Sequence, residues 1–363
     1  MASIFRHKGL LGGRLNGRAL QIGVCVTGSS GFLLLGYDQG VMSGIITEPI
    51  FLKTFPQMDP MNKSGAIQAL VVAIYETGCL FGAIGIIAFG DKLGRRRSIL
   101  TGACIMIVGA IIQTASVDLA SIIVGRIVTG IGNGMNTSTI PVYQSEIAPP
   151  KIRGFLVLFE GALITLGITI SYWLNYGFWF VTDRGSFQWR FPIGFQIFFA
   201  ILLIIGILCF PESPRWLLKH NKVEEAAEIM GHLENAPPDS DQVQKDIKEI
   251  RQINAVSDGK KLTWREFFSN GREMNLWRAS AGISSQAFQQ IAPALAATVF
   301  IFVYDSFFAL GWLGVTWLYP AEVTPIRIRA QAAGLSTCSN WIFNYAVVQL
   351  APIMINTIAW KTY

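Results

Sequence analysis

Charged residues and histidine are scarce in this sequence. Only 14% of its 363 residues carry charge, against 52% that are hydrophobic. A soluble chain of this length needs far more polar surface to face water, so that class is set aside. Three histidines, scattered outside the apolar stretches, suggest no metal site. The five cysteines, Cys25, Cys79, Cys104, Cys209 and Cys338, fall one to an apolar stretch and lack metal-ligand spacing. They read as small buried hydrophobes rather than a disulfide framework. No nucleophile stands beside a base, and nothing supports an enzyme or implies a cofactor. A cleavable signal is also missing, because the first apolar run is too long for one and more runs follow it.

Long apolar runs are present instead. A helix needs about 20 mostly apolar residues to cross the hydrocarbon core of a bilayer. Such spans are predicted at 20–46, 66–89, 99–115, 119–142, 155–180, 191–210, 283–319 and 332–359. The fold expected is an all-α membrane protein embedded in the lipid bilayer. The net charge of +6 sits in short loops, where it sets membrane orientation and calls for no nucleic acid. With Arg6, Lys8 and Arg14 ahead of the first span, the N-terminus is expected in the cytoplasm. The loops Gly90 to Arg97 and Lys151 to Arg153 then lie on that same side. The polar segment 211–281 follows the sixth span and reads as cytoplasmic. Helical apolar spacing runs over Val223 to Leu233 and Val243 to Ile253, separated by Pro237 and Pro238.

The charge rule fails at one place. If 283–319 is a single span, Arg327 and Arg329 fall outside. Its length is too short for two crossings, which take about 40 residues before any turn. An internal repeat explains the discrepancy. Glu146-Ile-Ala-Pro149-Pro-Lys-Ile-Arg153-Gly154 is echoed by Glu322-Val-Thr-Pro325-Ile-Arg-Ile-Arg329-Ala330. Parallel repeats related by an axis along the membrane normal are a standard transporter design, and equivalent loops must share a side. Three spans separate the two copies where an even number is needed, so helices are missing within 283–319, just after Ile291.

Several motifs in order carry a resemblance. They are Gly36-Tyr-Asp38-Gln-Gly40, Gly90 to Arg97, Gly125-Arg126, Pro141-Val-Tyr143 through Glu146, Arg153-Gly154 and Pro211-Glu-Ser-Pro-Arg215. Gln286, Gln289 and Gln290, Trp317 through Glu322, and Ser339-Asn340-Trp341 complete the series. Together they resemble the sugar porter family of the major facilitator superfamily, in particular fungal hexose, polyol and glycerol–proton symporters. The resemblance implies a major facilitator-type bundle with a complete N-terminal six-helix half (1–210), a cytoplasmic linker (211–281) and an incomplete C-terminal half (282–363). Helices eight, nine and twelve of the family's twelve are expected to be absent.

The resemblance also implies roles. Asp38 and Arg126 are the only charges in their spans, roughly 12 and 10 Å below the outer face at 1.5 Å per residue. Such charges face the protein interior and find partners. The matching acid in the family's proton symporters carries the proton, so Asp38 is expected to take it up beside Arg126; a static ion pair is the alternative. Glu76, mid-span in the second helix, reads equally as a proton carrier or as an inert hydrogen-bonded acid. Gln286, Gln289, Gln290, Trp317, Asn340 and Asn344 are expected to bind a small neutral solute. Amides suit hydroxyls and the indole offers a stacking face; for the two asparagines, interhelical bonding competes. Where hexose carriers have a helix-five glutamine, this chain has Gly161 after Glu160. The run Glu160 to Ile164 resembles the glycerol and polyol group, although Glu160 also reads as a cytoplasmic-end charge. Gly90, Asp91, Gly94, Arg95, Arg96, Glu146, Arg153, Glu212, Arg215, Glu322 and Arg329 are expected to form a cytoplasmic gate. The plasma membrane is the expected location. Gly130-Ile-Gly132-Asn-Gly134 looks like a nucleotide loop but lies inside a span, where close helix packing explains it.

Overall fold

The computed structural model describes residues 9, 15–59, 66–148, 150–256, 319–320, 322–325 and 328–358, without the side chains of 150–158, 253–256 and 351–358. The stretch 283–318, with the seventh predicted span, lies outside the described residues. Seven long helices are among those described: α1 (Gly17–Ile45), α3 (Ala66–Leu93), α4 (Arg95–Thr114), α5 (Leu119–Ile147), α6 (Pro150–Trp179), α7 (Phe187–Cys209) and α11 (Arg329–Ile358). Each overlaps an apolar run, and most extend a few residues beyond it into polar sequence. Four, namely α1, α3, α4 and α7, are long and apolar enough on their own to cross a membrane. Between the long helices lie α2 (Pro49–Thr54), α8 (Pro214–Lys219), α9 (Val223–Glu234) and α10 (Asp241–Val256). The last two are the helices expected from spacing in the polar segment.

Packing follows small residues. Helix α5 lies against both α3 and α4, α1 against α6 and α7, and α11 against α3 and α5. The segment Gly130 to Gly134 supplies the α3–α5 contact. A Cβ on Gly130 would overlap the Tyr75 carbonyl oxygen, and one on Gly134 the Cys79 carbonyl oxygen. Without a hydrophobic drive between helices in lipid, such close backbone approach is what holds a bundle together. Phenylalanines and leucines meanwhile remain on the outside, as with Phe81, Phe89, Phe198 and Ile205, where lipid is the expected neighbour.

The turn from α3 to α4 is one residue long. Gly94 takes it at φ 86° and ψ 168°, a region open to glycine alone. A Cβ there would also meet the Glu212 carboxylate at 2.7 Å. This turn therefore fixes where Arg95 and Arg96 begin their helix.

Candidate functional site

Three of the sequence-predicted charges meet inside the bundle. Asp38 on α1 and Arg126 on α5 are buried and approach to 3.4 Å. The Arg126 guanidinium also donates to the Val72 carbonyl at 3.3 Å and lies over the Tyr75 ring, 4.4 Å from its centre. The pairing is incomplete: Asp38 Oδ2 and Arg126 Nε are buried and have no hydrogen-bond partner among the described residues. A buried acceptor without a donor is costly. Either a proton or a conformational change would relieve it.

Glu76 lies on the same helix as Tyr75. Its Oε1 accepts a 2.7 Å hydrogen bond from the Asn344 amide of α11, while Oε2 is buried without a partner. The interhelical reading of Asn344 is thus realised in this conformation. Asn340, three residues after the buried Thr337 on α11, is itself buried. Gln286, Gln289, Gln290 and Trp317 lie outside the described residues. Glu160 is buried, with its Oε2 lacking a hydrogen-bond partner among the described residues. The helix face it occupies turns inward.

A second cluster sits at the opposite end of the helices. Arg95 grips Glu146 through two hydrogen bonds of 3.0 Å, with both side chains buried. Glu212 caps the start of α4, its carboxylate accepting from the backbone N–H groups of Arg95 and Arg96 at 3.1 Å. This is the expected use of a negative charge at a helix N-terminus. Burial nonetheless holds the Glu212 carboxyl above its usual range, with these backbone donors pulling the other way. Arg96 donates to the Ile207 and Leu208 carbonyls at 2.8 Å, satisfying the end of α7. Arg329, opening α11, lies near enough to Glu146 for their charges to interact. Gly90, at the base of α3, lies beside Arg95, Ser138, Val142 and Ala330.

Some expected gate members stand apart. Among the described residues Arg215 and Glu322 join no ion pair, and Glu322 is exposed to solvent. The Arg153 backbone belongs to α6, but its side chain is outside the description. Asp91 pairs mainly with Lys219 of α8 at 2.9 Å, more distantly with Arg95 at 3.7 Å. Lys219 and Tyr75 are the residues that sequence reading missed. A lysine closing a six-residue helix and an aromatic in an apolar span both look ordinary. The available signals were the adjacency of Tyr75 to Glu76 and the acid Asp91 in need of a cation.

A membrane-spanning bundle with a buried acid–base pair in its interior and a charge cluster at one end defines a multi-pass membrane transporter. A family profile described as "Sugar (and other) transporter" matches residues 24–293 and 292–363. The chain belongs to that family, the sugar porters of the major facilitator superfamily. The two matched stretches meet at 292–293, the position at which loop parity places the missing helices. Among relatives, the "Major facilitator superfamily transporter mfsA" of Aspergillus fumigatus is 32% identical, covering 96% of this chain and 81% of its own length. "Sugar transporter STL1" of Saccharomyces cerevisiae is 31% identical, covering 96% and 76%. These relatives are transporters, not enzymes. The alignment with the first runs over 440 positions, more than this chain contains, so the relative has internal sequence that this chain lacks. In fold, the chain is similar to "the MFS (major facilitator superfamily) proton:xylose symporter XylE", with a TM-score of 0.74 at 20% identity, over 95% of this chain and 90% of that one.

Proposed function

We propose that this protein is a secondary active transporter that carries a neutral sugar or polyol, such as glycerol or a hexose, together with a proton. The observation that carries the reading is the half-satisfied pair of Asp38 and Arg126, buried mid-bundle with Asp38 Oδ2 open to a proton. While the two are close, Arg126 supplies a counter-charge for a negative Asp38, and separating them withdraws it. Alternation between these states would drive the two halves to rock about the solute. Glu76 lies close enough to share in this traffic. The solute would meet the amides of Gln286, Gln289, Gln290 and Asn340, with Trp317 as its apolar face and Asn344 joining if released from Glu76. Gly161 in place of a helix-five amide, next to the buried Glu160, favours a polyol over a hexose. The Saccharomyces relative, named a sugar transporter, and the fold neighbour, named a proton:xylose symporter, agree with this class. The charge cluster around Arg95 and Glu146 would be the cytoplasmic gate, with the N-terminus on that side of the plasma membrane.

Labelled glycerol and hexose uptake in a carrier-deficient cell tests the reading, with Asp38→Asn as control. Wild-type uptake that the variant loses supports it. One observation favours a second reading, a family member that binds solute without moving it: the family match is broken at 292–293. Silence of both wild type and variant in that assay would favour this second reading.

A further inference from the structure

The six-helix half and α11 touch along α3, and that contact is graded from apolar to polar. At the gate end, Gly334 packs against Ile87 and the Ala83 carbonyl. Further along, the Cys338 thiol lies 3.9 Å from the Leu80 carbonyl, and the Trp341 ring meets Tyr75 edge-on with centres 6.4 Å apart. The contact ends in the 2.7 Å hydrogen bond from Asn344 to Glu76. Here an acid of the first half is bonded to a side chain of α11 inside the membrane. Tyr75, next to Glu76, also carries Arg126 over its ring, and through Arg126 it is joined to Asp38. An unbroken chain of contacts therefore runs from the buried pair to the last helix.

We infer that the Glu76–Asn344 hydrogen bond couples the protonation state of the first half to the docking of α11, so that an ionised Glu76 holds the two together and a protonated one lets them part. A hydrogen bond to a charged acceptor is about twice as strong as a neutral one. When Glu76 gains a proton the Asn344 N–H loses its ionic acceptor, and what remains on this face is small-residue and aromatic packing. Oε2, buried and without a partner, is the atom free to take that proton. The titratable and charged groups that face Glu76 are Asp38 from α1, Arg126 from α5, and Tyr75 and Cys79 from its own helix. From α11 it meets the neutral amide of Asn344. Asp38 and Glu76 share Arg126 as their nearby cation, so a proton on one strengthens the hold of Arg126 on the other. Glu76 is then a positioning residue for the movement of the halves, acting through Asn344.

Cys338 provides a native reporter, because it is buried in this contact. The inference rests on the proton-coupled reading above, but thiol labelling needs no solute to move, so its failure and that of transport are distinguishable. The full chain is reconstituted in lipid vesicles and labelled with a membrane-permeant maleimide between pH 5 and 8. Modification at Cys338 is then read by peptide mass spectrometry. Dividing every rate, wild type included, by the rate at Cys338 in the denatured chain at the same pH removes the thiol's own titration, and the rates below are on that scale. Wild type is expected to expose Cys338 more as pH falls, by about fivefold, the difference between a charged and a neutral hydrogen bond. Glu76→Gln keeps an acceptor for Asn344 but cannot ionise, and should label at the acid-side rate at every pH. Asn344→Leu removes the donor and should also lose the pH dependence. A wild type without pH dependence, or a Glu76→Gln that retains it, overturns the inference. Should Glu76→Gln fail to fold, Asn344→Leu decides alone, and pH dependence retained there has the same meaning.

Discussion

At the residue scale, two kinds of buried charge do different work. The Asp38–Arg126 pair is left open, with one carboxylate oxygen unpartnered among the described residues, whereas both Glu146 oxygens accept from Arg95 at 3.0 Å. An open pair suits a group that must gain and lose a proton, and a closed pair suits a fastener. Replacing Glu146 by Gln leaves the buried Arg95 guanidinium without its counter-charge. Breaking such a pair from one side costs about 3–5 kcal/mol, and the apparent Tm in detergent is expected to fall accordingly. Asp38→Asn should cost less, because Asp38 meets Arg126 through one 3.4 Å contact where Glu146 holds Arg95 through two of 3.0 Å. A Tm loss in Asp38→Asn equal to that in Glu146→Gln would argue for a static ion pair. Asp38 and Arg126 were legible in the sequence because charge is rare in an apolar span and its cost demands an explanation. Tyr75 and Lys219 were not, since nothing about an aromatic in a membrane helix or a lysine at a helix end departs from the ordinary.

At the element scale, the single-residue turn at Gly94 sets the geometry of the proposed gate. Gly94→Ala forces an L side chain into a glycine-only region, at about 1–3 kcal/mol, and drives its methyl toward Glu212. Lower thermal stability and weaker capping of α4 are expected, measured by Tm with Gly85→Ala as control, a position where an added Cβ meets nothing. On the other side, the connection after α1 buries Glu48 completely, with neither carboxylate oxygen hydrogen-bonded among the described residues, and burial pushes its carboxyl up to about 7. A carboxyl raised in the folded state stabilises below its ordinary value of 4.5, and that contribution is lost as pH rises through about 7. Glu48→Gln removes the dependence, so its Tm should match wild type near pH 4.5 and exceed it increasingly toward pH 8. A constant difference across that range would show that Glu48 does not titrate there. Long helices were legible from apolar length, ending within a few residues of where they were expected. The six-residue helices α2 and α8 were not, because one and a half turns carry no readable period.

At the scale of the whole molecule, the halves meet at the start and the middle of α11. Arg329 reaches toward Glu146 at the proposed gate, and Asn344 holds Glu76 inside the membrane. The repeat that pairs Glu146 with Glu322 and Arg153 with Arg329 was visible in the sequence, and so was the parity fault between its copies. The junction of the two family matches at 292–293 falls where that fault pointed. The amides at 286–290, proposed to meet the solute, were legible only through resemblance, since glutamines in an apolar span have no spacing of their own to distinguish binding from helix packing. Whether this interrupted architecture still moves solute against a gradient is the central question. It is tested most directly in vesicles holding the purified chain, with an imposed inward proton gradient and labelled glycerol or hexose outside. Proton symport through Asp38 predicts accumulation above the outside concentration that a protonophore collapses and Asp38→Asn abolishes. Uptake that merely equilibrates in wild type and variant alike, or none in either, would contradict it.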